Sequence, residues 1–210
     1  VEGVAIVAAI EHKGPEARLR ILAELDGIEL GESISVAGVC LTVTAARADG
    51  FDADVSAETL AVTTLGELAR GSRVNIERAT KLGGRMGGHL VTGHVDAVGR
   101  VSSFEPVGAA WRLLVNAPDG LQRFLAAKGS ITIEGVSLTV NRLAPPAAFE
   151  VMVVAHTLEV TTLRDLRAGR RVNLEVDVLA RYVARQLDHA GITRSGTDLM
   201  TKLAEGGFLT

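Results

Sequence analysis

The stretch Ser33-Ile-Ser-Val-Ala-Gly-Val-Cys-Leu-Thr-Val43 returns almost unchanged as Ser130-Ile-Thr-Ile-Glu-Gly-Val-Ser-Leu-Thr-Val140, with seven of eleven positions identical. A second match lies downstream of each copy: Thr59–Glu77 pairs with Thr157–Glu175, both ending in Arg-Val-Asn-Ile/Leu-Glu. Upstream, Val1–Val7 pairs more weakly with Val95–Val101. The offset drifts from 94 (1 to 95) to 98 (59 to 157), as small loop insertions would produce. Solenoid repeats run to about 20–50 residues, so this period is that of a whole small domain. Two homologous domains in tandem are expected. Thr42 and Thr139 stand inside apolar runs, which predicts buried hydroxyls. Each would need a partner, in the sheet backbone or in a ligand, or cost about 1–3 kcal/mol.

Within each copy the runs are short and punctuated. Ala17–Ala23 alternates Leu19 and Ile21 with Arg18 and Arg20, a half-exposed strand. Ser33–Val36 and Val39–Thr44 are strands broken at Gly38, Asp49-Gly50 marks a hairpin turn, and Phe51, Ala53 and Val55 alternate with Asp52 and Asp54. His12-Lys-Gly-Pro15 and Pro145-Pro146 read as turns. Ser56 is placed to cap a helical turn before Thr64, and Leu121–Ala127 reads as a short helix. About six short strands per copy, with turns every 8–12 residues, predict an all-β fold of small closed barrels. The glycine-rich Lys81–Gly93 lacks the Gly-Lys-Ser/Thr ending of a phosphate loop, and its glycines suit a chain turning between barrels.

After Glu175 the period changes. Leu179, Val183 and Leu187, with Tyr182 and Ala190, oppose Arg181, Arg185 and Asp188, an amphipathic helix with no copy in the first half. Gly191 is expected to end it, and Leu199, Met200 and Leu203 share a face of a further short segment. Such a helix packs either on its own barrel or on copies of itself.

The chain of 210 residues is 47% hydrophobic with net charge −3, which suits a globular protein without a basic stripe and speaks against nucleic acid as partner. No apolar run approaches the ~18 residues of a membrane span, and no signal peptide is visible. The single Cys40 excludes an intrachain disulfide and fits a reducing compartment. A cytoplasmic location follows as the expectation.

Read together, Gly38-Val-Cys-Leu-Thr-Val43, Gly87-Gly-His-Leu-Val-Thr-Gly-His-Val-Asp96 and Gly135-Val-Ser-Leu-Thr-Val140 closely resemble the riboflavin synthase family of the alpha-chain type, over Val1 to about Leu187. The resemblance implies two tandem six-stranded antiparallel Greek-key β-barrels plus a C-terminal α-helix. Residues 1–86 would form the N-terminal barrel, 87–177 the C-terminal barrel and 178–210 a helical segment for trimerisation. It implies a homotrimer that dismutates two molecules of 6,7-dimethyl-8-ribityllumazine into riboflavin and 5-amino-6-ribitylaminouracil, with no cofactor and no metal. The site would lie between barrels of neighbouring subunits, and the resemblance leaves open a lumazine synthase shell as a further partner.

The residues that match the family's site follow from the same resemblance. Ser33, Cys40, His94 and Asp177 match positions associated with activity. Substrate-binding matches are Val1, Cys40, Leu41 and Thr42; Asp54, Val55, Ser56, Ala57, Glu58 and Thr59; Gly93, His94 and Val95; Lys128; Ser137, Leu138 and Thr139; and Met152, Val153, Val154, Ala155, His156 and Thr157. His94 is the candidate for proton transfer, since imidazole titrates near neutrality. His89 reads as structural, and the His89-x4-His94 spacing makes no zinc site without further ligands. Cys40 reads as a polar wall residue rather than a covalent catalyst, because serine holds the matching place in the other half. Lys128 aligns with Gly31 or its neighbour. The family begins Met-Phe-Thr-Gly-Ile-Val, with Val1 matching that Val, and a molecule lacking the preceding five residues is expected to lose activity. Ala155-His156-Thr157 stands where the family shows Pro-Glu-Thr. Two other readings stay open: an antenna-type protein that binds lumazine or flavin without turnover, and a flavin-domain barrel of a reductase.

Overall fold

Alternation along each run decides which side chains go inside. In a computed structural model that describes residues 1–190, strand β2 (Glu16–Leu22) buries Ala17, Leu19 and Ile21 and leaves the intervening residues on the outer face. The same rule builds β1 (Gly3–Lys13), β3 (Ser33–Val36), β4 (Val39–Arg47), β5 (Gly50–Val55) and β6 (Arg73–Arg78). They pair antiparallel in the closed order β1-β2-β5-β4-β3-β6. β3, β4 and β5 form a meander and β2 returns beside β5, a Greek key.

The second copy repeats this plan strand for strand. β7 (Ala97–Val107), β8 (Ala110–Asn116), β9 (Ser130–Ile133), β10 (Val136–Ala144), β11 (Ala148–Val154) and β12 (Arg171–Val176) close in the corresponding order. Even the bulges recur, between Val7 and Ala9 and between Val101 and Ser103, and again between Val43 and Ala45 and between Val140 and Arg142. Each barrel fills with its own aliphatic core around one phenylalanine, Phe51 or Phe149, both fully buried.

After β5 and β11 the chain makes a short helix, α1 (Ala57–Val62) and α2 (Ala155–Val160), each followed by a 3-10 turn. Ser56 caps α1 as its sequence position predicts, accepting the Thr59 N–H at 3.1 Å. Four expectations are corrected. β1 continues through His12 and Lys13, so only Gly14 and Pro15 turn. Leu121–Ala127 yields only a 3-10 turn, Leu121–Phe124. Asp52 lies on the outer face of β5 yet is buried, because Arg20 and Arg47 cover it. Thr42 and Thr139 are exposed rather than buried: in each strand the pleat turns Leu41, Val43 and Val140 inward and the threonine outward.

The barrels meet across a nearly two-fold seam. The β3–β4 and β9–β10 hairpins turn through Ala37-Gly38 and Glu134-Gly135, each pair at positive φ. A methyl group added at Gly38 would come 2.7 Å from the main-chain nitrogen of Gly135, so only glycine lets the two turns touch. Two buried asparagines then exchange bonds across the seam. The Asn173 side chain accepts the Thr64 N–H (2.7 Å) and donates to the Ala37 carbonyl (2.9 Å). Asn75 accepts the Thr162 N–H (2.7 Å) and donates to the Glu134 carbonyl (2.8 Å). Arg73–Asp165 and Arg171–Glu67 ion pairs flank them at the surface, where such pairs add about 0–1 kcal/mol.

The segment after Asp177 forms a separate unit. Its helix α3 (Val178–His189) exposes the apolar side chains Leu179, Tyr182, Val183 and Leu187. The expected helix stop at Gly191 and the Leu199, Met200 and Leu203 segment lie outside the described residues. No helix among the described residues is long and apolar enough to cross a membrane.

Replacing Asn173 by alanine leaves two buried backbone groups without partners, Thr64 N–H and Ala37 C=O. Asn173→Ala should therefore lose roughly 2–5 kcal/mol of stability in denaturant unfolding; a loss under about 0.5 kcal/mol would show the seam is not held this way. A second expectation concerns Glu134, whose carboxylate accepts the Asn173 main-chain N–H at 2.6 Å. Burial pushes this carboxyl up from 4.5 to about 7. Between those values the folded protein keeps a proton that the unfolded chain has released. Stability therefore falls as pH rises through this window, by at most about 3 kcal/mol. Glu134→Gln should remove that slope and gain stability over the parent at pH 8 but not at pH 4.5.

Candidate active site

On the outer face, three neighbouring strands of each barrel set polar side chains in a row. Glu77 on β6 lies opposite Ser35 on β3, which lies opposite Cys40 on β4. In the second barrel Glu175 lies opposite Thr132, which lies opposite Ser137. One step along, Ser33 faces Thr42 and Ser130 faces Thr139. Each barrel thus presents carboxylate, hydroxyl, and then thiol or hydroxyl, with an exposed threonine beside them. The scaffold repeats and the reactive atom at its end does not.

The segment between the barrels passes over both rows. Half-buried His89 places Nδ1 2.8 Å from the Ser137 hydroxyl and Nε2 3.2 Å from the Thr132 hydroxyl. Burial lowers the His89 pKa, partly opposed by the charges of Asp177 and Glu175, so its neutral form is favoured. Further on, the Glu175 carboxylate accepts the Thr92 N–H (2.7 Å), the Thr92 hydroxyl (2.6 Å) and the Gly93 N–H (3.0 Å). The Gly93 carbonyl accepts the Cys40 N–H at 2.8 Å. Between this segment and the first barrel lies a cavity of about 540 Å³, lined by Ser33, Ser35, Cys40, Glu77, His89 and Gly93 among others. That volume suits a small heterocyclic ligand.

The sequence-derived residues fall into distinct places. Ser33, Cys40 and Gly93 share the cavity. His94, exposed, follows Gly93, and half-buried Val95 packs against the first barrel's core. Asp177 ends the second barrel near His89. Leu41, Val55 and Val153 are core residues that offer a ligand only main-chain groups, and half-buried Leu138 packs on the second core. Asp54, exposed beside α1, is held by Arg18 through bonds of 2.6 and 2.9 Å, and this partner lowers its pKa. Its counterpart is uncharged Met152, opposite Arg112. Ser56 and Thr59 hydroxyls lie 2.9 Å apart with Ala57 and exposed Glu58 between them. Val154, Ala155 and His156 are exposed and Thr157 is half-buried. Val1 brings its main-chain nitrogen within 3.2 Å of Glu77. None of Thr42, His94, Lys128, Ser137, Thr139, Asp177 or the two helical turns lines the cavity.

Lys128 is the structural counterpart of Gly31. Each donates its N–H to the β-strand carbonyl at the same place, Val140 at 2.7 Å and Val43 at 2.9 Å, and both have positive φ. A lysine in this left-handed region costs about 1–2 kcal/mol relative to glycine. The sequence singled out none of Ser35, Thr132, Glu77 or Glu175; His89, expected to be structural, ties the crossing segment to Ser137 and Thr132. The signal was present: both glutamates close the repeated Val-Asn-Ile/Leu-Glu, and the hydroxyls sit within the doublet.

The family model of the lumazine binding domain matches residues 1–79 and again 92–177. The chain belongs to the riboflavin synthase family. The riboflavin synthase of Mycobacterium tuberculosis (strain ATCC 25618 / H37Rv) is 50% identical over 165 residues, 77% of this chain and 82% of that one. That of Bacillus subtilis (strain 168) is 35% identical across 99% of this chain and 98% of its own length. Among solved structures, LumP complexed with riboflavin superposes with a TM-score of 0.77 at 25% identity, covering 84% of this chain and 96% of LumP. LumP complexed with 6,7-dimethyl-8-(1'-D-ribityl) lumazine gives 0.75 at 24% identity. The two family-model matches leave out residues 80–91, the part of the crossing segment that carries His89.

Gly93 has φ +77°, and a methyl group there would lie 2.6 Å from the Cys40 Cβ. Gly93→Ala is expected to displace this segment from Cys40 and lower product formation about tenfold or more. Steady-state turnover measured with a thermal melt checks this; unchanged turnover would show that the contact is dispensable.

Proposed function

We propose that the chain catalyses the riboflavin synthase reaction. Two molecules of 6,7-dimethyl-8-ribityllumazine exchange a four-carbon unit, giving riboflavin and 5-amino-6-ribitylaminouracil, without a cofactor or metal. One observation carries this reading beyond family membership: a duplicated barrel presents two equivalent polar rows that differ at one reactive position, Cys40 against Ser137. A reaction that consumes two identical molecules in unequal roles calls for twin beds with a local difference.

The exposed Thr42 and Thr139 hydroxyls are free to meet substrate, as are main-chain groups of the α1 and α2 turns. Catalysis begins with loss of a proton from the acidified C7 methyl of one lumazine, and His94 is the group assigned to move it. Ser33 and Asp177 assist, Lys128 holds a substrate oxygen, and Cys40 forms part of the polar wall. The two beds come together between subunits of a homotrimer assembled through residues 178–210, with the exposed apolar residues of α3 in support. A cytoplasmic location and association with lumazine synthase fit this role. The likeness to LumP supports a second reading, binding without turnover.

Incubating the full chain with the lumazine substrate and following riboflavin fluorescence separates the two. The expected result is catalytic turnover with no added cofactor; tight binding with no product would favour the antenna reading. Deleting residues 178–210 should reduce a trimer to monomers in sedimentation, and a truncated chain that stays trimeric would remove the helix from assembly.

A further inference from the structure

The Glu175 carboxylate is almost wholly buried, with 2% of the residue exposed. It is not spent on an arginine. Its two oxygens take three hydrogen atoms from two successive residues, the Thr92 N–H and hydroxyl on Oε1 and the Gly93 N–H on Oε2. A buried carboxylate must be satisfied, and charge-assisted bonds of this kind are stronger than neutral ones. Thr92 and Gly93 are therefore fixed to the second barrel. Beyond them the chain is fixed to the first barrel, through the Gly93 carbonyl on Cys40 N–H (2.8 Å) and Val95 against the first core. His94 stands between these two anchors.

We propose that Glu175 is a positioning residue that sets His94 and Cys40 in register across the barrel seam. This rests on the assignment of proton transfer to His94. Without the carboxylate, Gly93 loses one of its two fixed main-chain groups, and the backbone that carries the imidazole shifts relative to the cavity. Displacement of a catalytic group by about 1 Å can cost about 100-fold in rate. In the first barrel, Glu77 occupies the equivalent place on β6, opposite Ser35. Of the two carboxylates that end the Val-Asn-Ile/Leu-Glu repeat, Glu175 holds the segment bearing His94.

Glu175→Gln tests the idea in the full chain. The amide has one acceptor oxygen and turns an NH2 group toward one of the present donors, so the three bonds cannot all persist. Turnover number should fall about 10–100-fold while the KM for lumazine changes less than about threefold, because His94 is misplaced but the binding faces remain. The Thr92 and Gly93 amide proton resonances, shifted downfield by the carboxylate, should move upfield in the variant. Thr92→Val, which removes a single bond and keeps the charge, should give a smaller fall that Thr92→Ser restores. It also serves if the glutamine variant fails to fold. A kcat within twofold of the parent in a folded Glu175→Gln, or Thr92→Val and Thr92→Ser equally impaired, would overturn the proposal. A parent protein that makes no riboflavin would instead remove the functional reading, and the amide shifts would still report whether the clamp exists.

Discussion

The exchange of two buried asparagine side chains across the seam is the constraint on which the rest of the structure depends. Asn75 and Asn173 each satisfy one N–H and one C=O of the opposite barrel. Buried polar groups tolerate little misalignment, because each lost partner costs about 1–3 kcal/mol. Apolar contacts alone would let the barrels slide; these four directional bonds, with glycine against glycine at the hairpin tips, permit one arrangement. That arrangement lets residues 79–96 reach Ser137 and Glu175 on one barrel and Cys40 on the other.

Duplication keeps what holds the barrels and varies the outer surface. Core phenylalanine, bulges, turn glycines, seam asparagines and row glutamates recur in both copies. The differences gather on the outer surface and in the loops: Cys40 against Ser137, Asp54 against Met152, Gly31 against Lys128. Lys128 carries the cost of a left-handed backbone where the first copy uses glycine. Glu134 against Ala37 is a similar departure, at the seam rather than the surface, where burial pushes its carboxyl up to about 7.

Much of the fold was legible because local chemistry determines it. Period-two alternation assigned Leu19, Ile21, Phe51 and Ala53 to the interior, Asp49-Gly50 marked its hairpin, and Ser56 capped its helix. The errors have two causes. Thr42 and Thr139 look buried when only their apolar neighbours are counted, yet the pleat sends alternate residues to opposite faces. Asp52 looks exposed by the same alternation, yet Arg20 and Arg47 reach over it from elsewhere in the chain. Long side chains covering a neighbouring strand leave no periodic trace.

The candidate site was legible in part. The doublet contains Cys40, Ser137 and the two threonines, and the family resemblance implied paired binding faces. Which groups His89 and Glu175 hold was not legible, because their partners lie 48 and 83 residues away at Ser137 and Thr92. By itself the sequence determined the strands, the closure of two barrels and the duplication, since these follow from local alternation, turn residues and self-similarity. Only the tertiary structure decided how the barrels are joined, which hydroxyls remain open and which carboxylate holds the segment bearing His94. Those depend on directional bonds between residues far apart in the chain, and such bonds exist only once both barrels have closed.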